Sequence, residues 1–319
     1  MLPNLAEIEA AAEIVHRAIL PTPQICWPLL SERAGCEVWV KHENHTPIGA
    51  FKVRGGLVYL DELAKSHADL PGILTATRGN HGQSVAFAAR AHGVKAVVVV
   101  PHGNSAEKNR AMRAFGAELV EHGADFNAAH DHARRLAEAR DLHMLPSFHP
   151  MLVRGVASYS LELFSAVPDL DALYVPIGLG SGICGAIAAR DGLGRKTRIV
   201  GVVAEKAPTY ALSFAAGEPV ATNAADTLAD GLAVRIPDTQ ALDIIRQGVE
   251  RIVAVSEDEI LAAMRHYFSD THNLAEGAGA ASLAALLKER DEMRGKKVGL
   301  ILSGGNLDRE VYLRAIDDG

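Results

Sequence analysis

The sequence predicts an α/β protein built on mostly parallel sheets with helices on both faces. Two observations carry this. Five short apolar runs recur along the chain, rich in β-branched residues and too short for helices. Ala-rich stretches of helical periodicity lie between them, and strand–loop–helix repetition of this kind builds parallel sheets.

In chain order, "GILTAT" (72–77) is the first such run, followed by a helix over 81–92. "KAVVVV" (95–100) is the second, with helices over 105–115 and 125–140. "ALYVPI" (172–177) leads into a helix over 182–190, and "RIVGVVA" (198–204) is the fourth run. Ser256 and Glu259, in "SEDE", form a capping box that opens a helix over 257–269. A helix over 276–289 then leads to the last run, "KVGLILS" (297–303). At 319 residues the chain suits one large or two modest domains. It has no repeat, low-complexity tract or Pro/Ser linker, so a two-domain division requires the chain to cross over and return.

Composition narrows the function classes. Charged residues are 22% and apolar residues 48%, as in ordinary soluble globular proteins. A net charge of -7, with no long Lys/Arg run, argues against a nucleic-acid partner. No apolar run approaches a membrane span, and the acidic, amphipathic N-terminus is unlike a signal peptide. The three cysteines, Cys26, Cys36 and Cys184, are scattered. They fit a reducing, cytoplasmic setting and show no zinc spacing. Fourteen histidines include no H-E-x-x-H, and His130 and His132 are spaced for different sides of a helix. No metal is expected.

Lys52 stands out. In "PIGAFKVRGG" (47–56) it has apolar neighbours on both sides, Ala50 and Phe51 before and Val53 after. Lysine in a helix turn is ordinarily solvated, but a dry pocket makes its amine a nucleophile. Three loops fall where open α/β sheets receive ligands, beyond the carboxyl ends of strands: "TRGNHGQS" (77–84), "GLGSGICG" (178–185) and "SGGNLD" (303–308). The glycines of the second let backbone N–H groups converge on an anion at a helix N-terminus. Gly180 to Gly185 also spell G-x-G-x-x-G, with Glu205 where a dinucleotide fold places its ribose-binding acid. An NAD-dependent oxidoreductase is therefore a rival, though it leaves Lys52 and the other two loops without work. Pyridoxal 5'-phosphate uses all of them: an anion cradle, a lysine for its aldehyde and polar partners for its ring.

"GAFKVRGG", "TRGNHGQS", "PIGLGSGICG", "LAEGAGAAS" and "LSGGNLD" follow one another in the order of the fold-type II pyridoxal-phosphate enzymes, the fold of tryptophan synthase β. The chain resembles their threonine/serine dehydratase and serine racemase branch over roughly residues 15–312. The resemblance implies two open twisted α/β domains, a large cofactor-binding one over 1–51 and 148–319 and a small one over 52–147. It implies a homodimer and a small amino-acid substrate. Lys52 matches the Schiff-base lysine, Phe51 the residue packed beside the cofactor, and Asn80 the partner of its phenolic oxygen. Gly178, Leu179, Gly180, Ser181 and Gly182 match the phosphate cradle, and Ser303 the residue facing the pyridine nitrogen. Thr77, Gly79 and His81 match the loop that receives the substrate carboxylate, and Glu276 the acid of an E-x-x-x-A stretch. A hydroxyl at Ser303 supports ring protonation less than a carboxylate would. That favours rapid loss of a β-leaving group, giving an enamine that hydrolyses to a 2-oxo acid and ammonia. The expected activity is that of a dehydratase, or ammonia-lyase, acting on threonine, serine or a related β-hydroxy amino acid. A racemase of the same fold is the alternative.

Four departures individualise the chain. Arg78 stands where racemase relatives carry a serine base, and an arginine stays protonated. It either points into a salt bridge or contacts the substrate, which opens phenylserine and hydroxyaspartate as substrates. Val203 and Thr209 stand where cation-binding relatives are acidic, so the cation site is expected to be lost. The chain stops soon after "SGGN", leaving no room for a regulatory domain, so feedback inhibition is not expected. His42, His45, Pro47, Tyr210, Leu212 and Phe214 hint at a distinct substrate pocket, with Leu212 and Phe214 more simply read as core.

Overall fold

Each of the five apolar runs is a strand shielded from water over most of its length, and β-branched side chains fill both faces. The structure, a computed structural model, describes residues 2–67 and 70–317. Its strands are β1 (Gln24–Cys26), β2 (Glu37–His42), β3 (Ile73–Ala76), β4 (Ala96–Val100), β5 (Glu118–Glu121), β6 (His143–Met144), β7 (Ala172–Pro176), β8 (Arg198–Ala204), β9 (Arg251–Val255) and β10 (Lys297–Leu302). They form two sheets, ordered β1-β2-β10-β7-β8-β9 and β5-β4-β3-β6. Every pair is parallel except β1 with β2.

The expected helices are present within a few residues of their expected ends. The helix Glu257–Thr271 opens on the Ser256/Glu259 capping box read from the sequence. The sequence reading lacks several longer elements, β2 and the helices Leu5–His16, Pro150–Ala166 and Thr239–Gly248, as well as short or edge strands. β1 and β6 have three and two residues, and β5 has charged ends. Such segments bury too little to show a period.

The helix Lys52–Ser66 is wedged between Asn80–Ala91 and Pro150–Ala166. Gly155 shows how closely it packs: a Cβ there would lie 2.3 Å from the Arg54 carbonyl oxygen. Arg54 itself is wholly buried. Its guanidinium donates to Glu43 at 2.7 Å and to Glu162 at 2.6 Å. Lys41, also wholly buried, joins Glu162 at 2.5 Å. Two cations and two carboxylates thus balance inside the core, directly behind the start of the Lys52 helix.

Candidate active site

Chain order scatters Lys52, Asn80, Glu276 and Ser303, and the two sheets bring them together. Lys52 is the first residue of its helix. The backbone before it is pinned to the end of β10: Phe51 N–H donates to the Ser303 carbonyl at 3.0 Å, and Ala50 bridges Gly304. Ser84 then donates to the Lys52 carbonyl at 2.6 Å. The Lys52 amine lies 4.8 Å over the Phe51 ring. Burial lowers its pKa to about 8, against a smaller opposing pull from Glu276. The lysine is thus a desolvated amine, partly neutral at neutral pH.

Asn80 Nδ2 donates to Glu276 Oε1 at 2.8 Å, and Asn306 Nδ2 donates to Asn80 Oδ1 at 2.9 Å. Glu276 is buried and its backbone N–H holds the Gly304 carbonyl at 3.1 Å. Burial raises its pKa to about 7, although Lys108 and the Asn80 donor favour its charge. His81 is buried beside Lys52. Desolvation first, then the Lys52 charge, lower its pKa to about 3, so it is neutral. Its Nε2 has no hydrogen-bond partner among the described residues, and an orphaned buried nitrogen of this kind calls for one. Thr77 Oγ1 accepts from Gly79 N–H at 3.0 Å and shapes the turn. Arg78, between them, is exposed.

The loop 178–182 caps the helix Ser181–Gly192. Gly180 is left-handed, at φ +104°, and a side chain there would lie 2.6 Å from Ala241 Cβ. Gly182 faces Phe51: a Cβ would stand 3.8 Å from its ring. The loop therefore reaches the lysine through Phe51. A glycine loop at a helix start, a half-buried lysine of lowered pKa, and polar groups at Asn80, His81 and Ser303 match the anion, aldehyde and heteroatoms of pyridoxal phosphate. The residues present fit that cofactor.

Some residues here carried no sequence signal. Lys108 is buried and donates to Asp230 at 2.8 Å. Burial alone would lower its pKa, but Glu276 and Asp230 raise it. Its side chain packs on Gly79, 2.8 Å from where a Cβ would be. Asn306 lay within the quoted "SGGN" but only contact shows its role.

The pocket suggested by the fourth departure does not form. His42 is buried and accepts from Trp27 Nε1 at 2.9 Å, while His45 and Pro47 are exposed. Tyr210 lies behind the glycine loop. Leu212 is 44% exposed, not core, and Phe214 packs half-buried against the core. Val203 is buried, and the Thr209 hydroxyl is engaged by Thr222 and the Val234 carbonyl. Among the described residues no group of three or more His, Cys, Asp or Glu is placed to hold a metal ion. No helix among them is long and apolar enough to cross a membrane.

The dinucleotide rival fails on the roles of its residues. The Glu205 carboxylate is engaged by Lys288 at 3.3 Å. Gly185 serves helix packing, since a Cβ would lie 3.0 Å from Ala157 Cα.

Comparison with known proteins agrees. The chain is 33% identical to the L-threonine ammonia-lyase of Thermotoga maritima, over 96% of this chain and 75% of that one. It is 30% identical to the L-threo-3-hydroxyaspartate ammonia-lyase of Saccharomyces cerevisiae, over 99% and 97%. It spans 58% of the length of the biosynthetic L-threonine dehydratase of Haemophilus influenzae. The crystal structure of a pyridoxal 5'-phosphate-dependent aspartate racemase superposes with a TM-score of 0.91 and 30% identity, covering 96% of this chain and 97% of that one. The family described as pyridoxal-phosphate dependent enzymes matches residues 15–304, and with this site geometry the chain belongs to that family, in its fold-type II architecture.

Proposed function

We propose that this protein is an ammonia-lyase that converts a β-hydroxy-α-amino acid to a 2-oxo acid and ammonia. The observation that carries the reading is the desolvated Lys52 amine between Phe51, His81 and Glu276. The names of the threonine and hydroxyaspartate ammonia-lyases support it. In this reading Lys52 holds the cofactor aldehyde, Phe51 packs against its ring, and Asn80 meets its phenolic oxygen. Ser303 faces its ring nitrogen, and Gly178, Leu179, Gly180, Ser181 and Gly182 hold its phosphate. The bound cofactor supplies an electron sink that acidifies the substrate's α-proton. The Lys52 amine would take that proton as a general base, for which a pKa near neutrality is suited. Thr77, Gly79 and His81 take the substrate carboxylate, His81 offering the unpartnered Nε2 and the helix start its N–H groups. Glu276 orients Asn80. Residues 52–147 act as a small domain against 1–51 and 148–319, which the two separate sheets support. We further place the enzyme in the cytoplasm as a homodimer, a setting consistent with its three free cysteines.

One consequence concerns cofactor capture. Only the unprotonated amine attacks an aldehyde. The rate at which cofactor-free protein takes up pyridoxal phosphate is expected to rise with pH through about 8 and then level, following the lowered pKa of Lys52. A rate that keeps climbing to pH 10 contradicts a depressed lysine.

Arg78 decides the substrate class. Exposed at the loop, it offers a planar fork to a second carboxylate or a cationic face to an aromatic ring. A panel of threonine, serine, phenylserine and hydroxyaspartate, scored for ammonia and 2-oxo acid, tests the activity. Arg78→Ala is expected to lower kcat/KM for the best substrate by about one to two orders of magnitude, the scale of a lost charged hydrogen bond. Unchanged kinetics across the panel would leave Arg78 outside the site and favour threonine or serine. The aspartate racemase neighbour gives racemisation as the second reading. Loss of optical rotation without ammonia in the same panel would select it, although Arg78 provides no second base.

A further inference from the structure

Tyr210 sits against the glycine loop, its hydroxyl 3.6 Å from where a Gly180 Cβ would be. It is 1% exposed and belongs to the first turn of the helix Thr209–Ala216. Its hydroxyl donates to the Leu179 carbonyl at 2.9 Å and accepts from Asp238 N–H at 3.0 Å. Burial raises its pKa well above the usual phenol value, so it remains a donor. The helix that carries it is fastened on its own account. The Thr209 hydroxyl donates to the Val234 carbonyl at 2.8 Å, and Ser213 accepts from Val220 N–H at 2.9 Å. Tyr210 is thus a fixed post, and the loop is what it holds.

The loop needs holding. Gly180 is the N-cap of the Ser181–Gly192 helix and carries no side chain to cap it. Glycine leaves a backbone free to rotate, and a rotated peptide loses the direction of its N–H. The Leu179 carbonyl and the Gly180 N–H share one planar trans peptide, so they point in opposite directions. A hydrogen bond that fixes the carbonyl therefore fixes the N–H on the other face. That N–H belongs to the orphan set at a helix start, with no partner inside the helix.

We propose that Tyr210 is a positioning residue for cofactor binding, its hydroxyl holding the Leu179 carbonyl so that the Gly180 N–H stays turned toward the cofactor's phosphate. The proposal rests on the reading of residues 178–182 as the phosphate cradle. It changes the meaning of Tyr210 from a wall of the substrate pocket to a brace of the cofactor site.

Pyridoxal and pyridoxal phosphate differ only in the group this brace would serve. The full-length protein is freed of cofactor and titrated with each, following the visible absorbance of the Lys52 adduct. Tyr210→Phe is expected to raise the dissociation constant for pyridoxal phosphate about tenfold, the scale of one hydrogen bond. It should leave that for pyridoxal within about twofold. An equal loss for both ligands, or no loss for either, overturns the proposal, because a merely structural tyrosine cannot sense the phosphate. Gly180→Ala separates this from the loop reading, as it strains a left-handed residue against Ala241. It should also weaken pyridoxal phosphate selectively. If Gly180→Ala discriminates and Tyr210→Phe does not, Tyr210 is no brace. If neither discriminates, the cradle reading falls and the proposal with it. Should Tyr210→Phe not fold, Asp238→Pro replaces it. Position 238 has φ -72°, which proline accepts, and the change deletes the N–H that orients the hydroxyl. It also deletes the carboxylate that caps the helix Thr239–Gly248 at Ala241 N–H, so Asp238→Ala, which removes the cap alone, is its control and only a loss beyond that control counts. A selective loss of pyridoxal phosphate again supports the brace, and an unselective one again overturns it.

Discussion

Lys52→Ala is expected to reduce turnover by about 10³-fold or more while leaving a folded protein. The same side chain is asked to hold the cofactor and to move the α-proton, and loss of a general base alone costs about 10² to 10⁴ in rate. The purified wild-type protein should be yellow, and borohydride should fix pyridoxal to the peptide bearing Lys52. The variant should be colourless or hold its cofactor loosely. Its stability is informative as well. The pKa of Lys52 is lowered from 10.5 to about 8, first by burial. A lowered lysine pKa means that the protonated form costs the fold below about pH 8, and that this cost fades as pH rises toward 10.5. The cofactor-free variant should therefore gain melting temperature relative to cofactor-free wild type at pH 7, and the gain should shrink at pH 10. A colourless wild type, or borohydride labelling at another lysine, would end the assignment. A variant that is unfolded at pH 7 would show that the amine is structural.

Arg54→Ala should be the most damaging change away from the cofactor, costing about 3–5 kcal/mol in urea unfolding. Breaking a buried pair by removing one partner leaves the other charge uncompensated. Here Glu43, wholly buried, would lose its guanidinium, and Glu162 would keep only Lys41 and His16. The acid limb reports the same network. Burial would raise the pKa of Glu162, but hydrogen bonds and charge from Arg54, then Lys41, bring it down to about 2. A lowered carboxylate pKa gives stability that is present above the usual value near 4.5 and is lost as pH falls toward 2. Arg54→Ala should therefore move the acid-unfolding midpoint upward. A loss under about 1 kcal/mol would mean that water or a rearranged Lys41 replaces the guanidinium. Because Arg54 follows Lys52 by two residues on one helix, cofactor affinity should fall with stability. Arg54→Lys should rescue the charge but not the two-carboxylate fork.

The sequence by itself determined the parts that follow from local chemistry. Buried β-branched runs became β3, β4, β7, β8 and β10, because a strand covered on both faces must be apolar throughout. Ser256 and Glu259 closed a capping box because that motif needs only three residues of spacing. The loops at 77–84, 178–185 and 303–308 were legible because glycine and polar residues after a strand have few structural uses. The tertiary structure alone decided what those loops meet. Whether the Lys52 amine was solvated or desolvated depended on His81 and Glu276, which lie tens to hundreds of residues away and leave no trace in its neighbours. Arg54 shows the same limit, since an arginine inside the core is intelligible only once Glu43 and Glu162 are beside it. Lys108 and Tyr210 carried no useful signal. One is paired across the site with Asp230 and the other braces a carbonyl, and backbone acceptors have no side-chain code. The pocket suggested by His42, His45, Pro47, Tyr210, Leu212 and Phe214 dispersed for the converse reason. His42 and His45 pair with Trp27 and Asn273, Tyr210 with the Leu179 carbonyl, and Pro47 and Leu212 are exposed. Periodicity and motif spacing report what a residue does with its near neighbours, while desolvation and charge pairing are set by packing between distant ones.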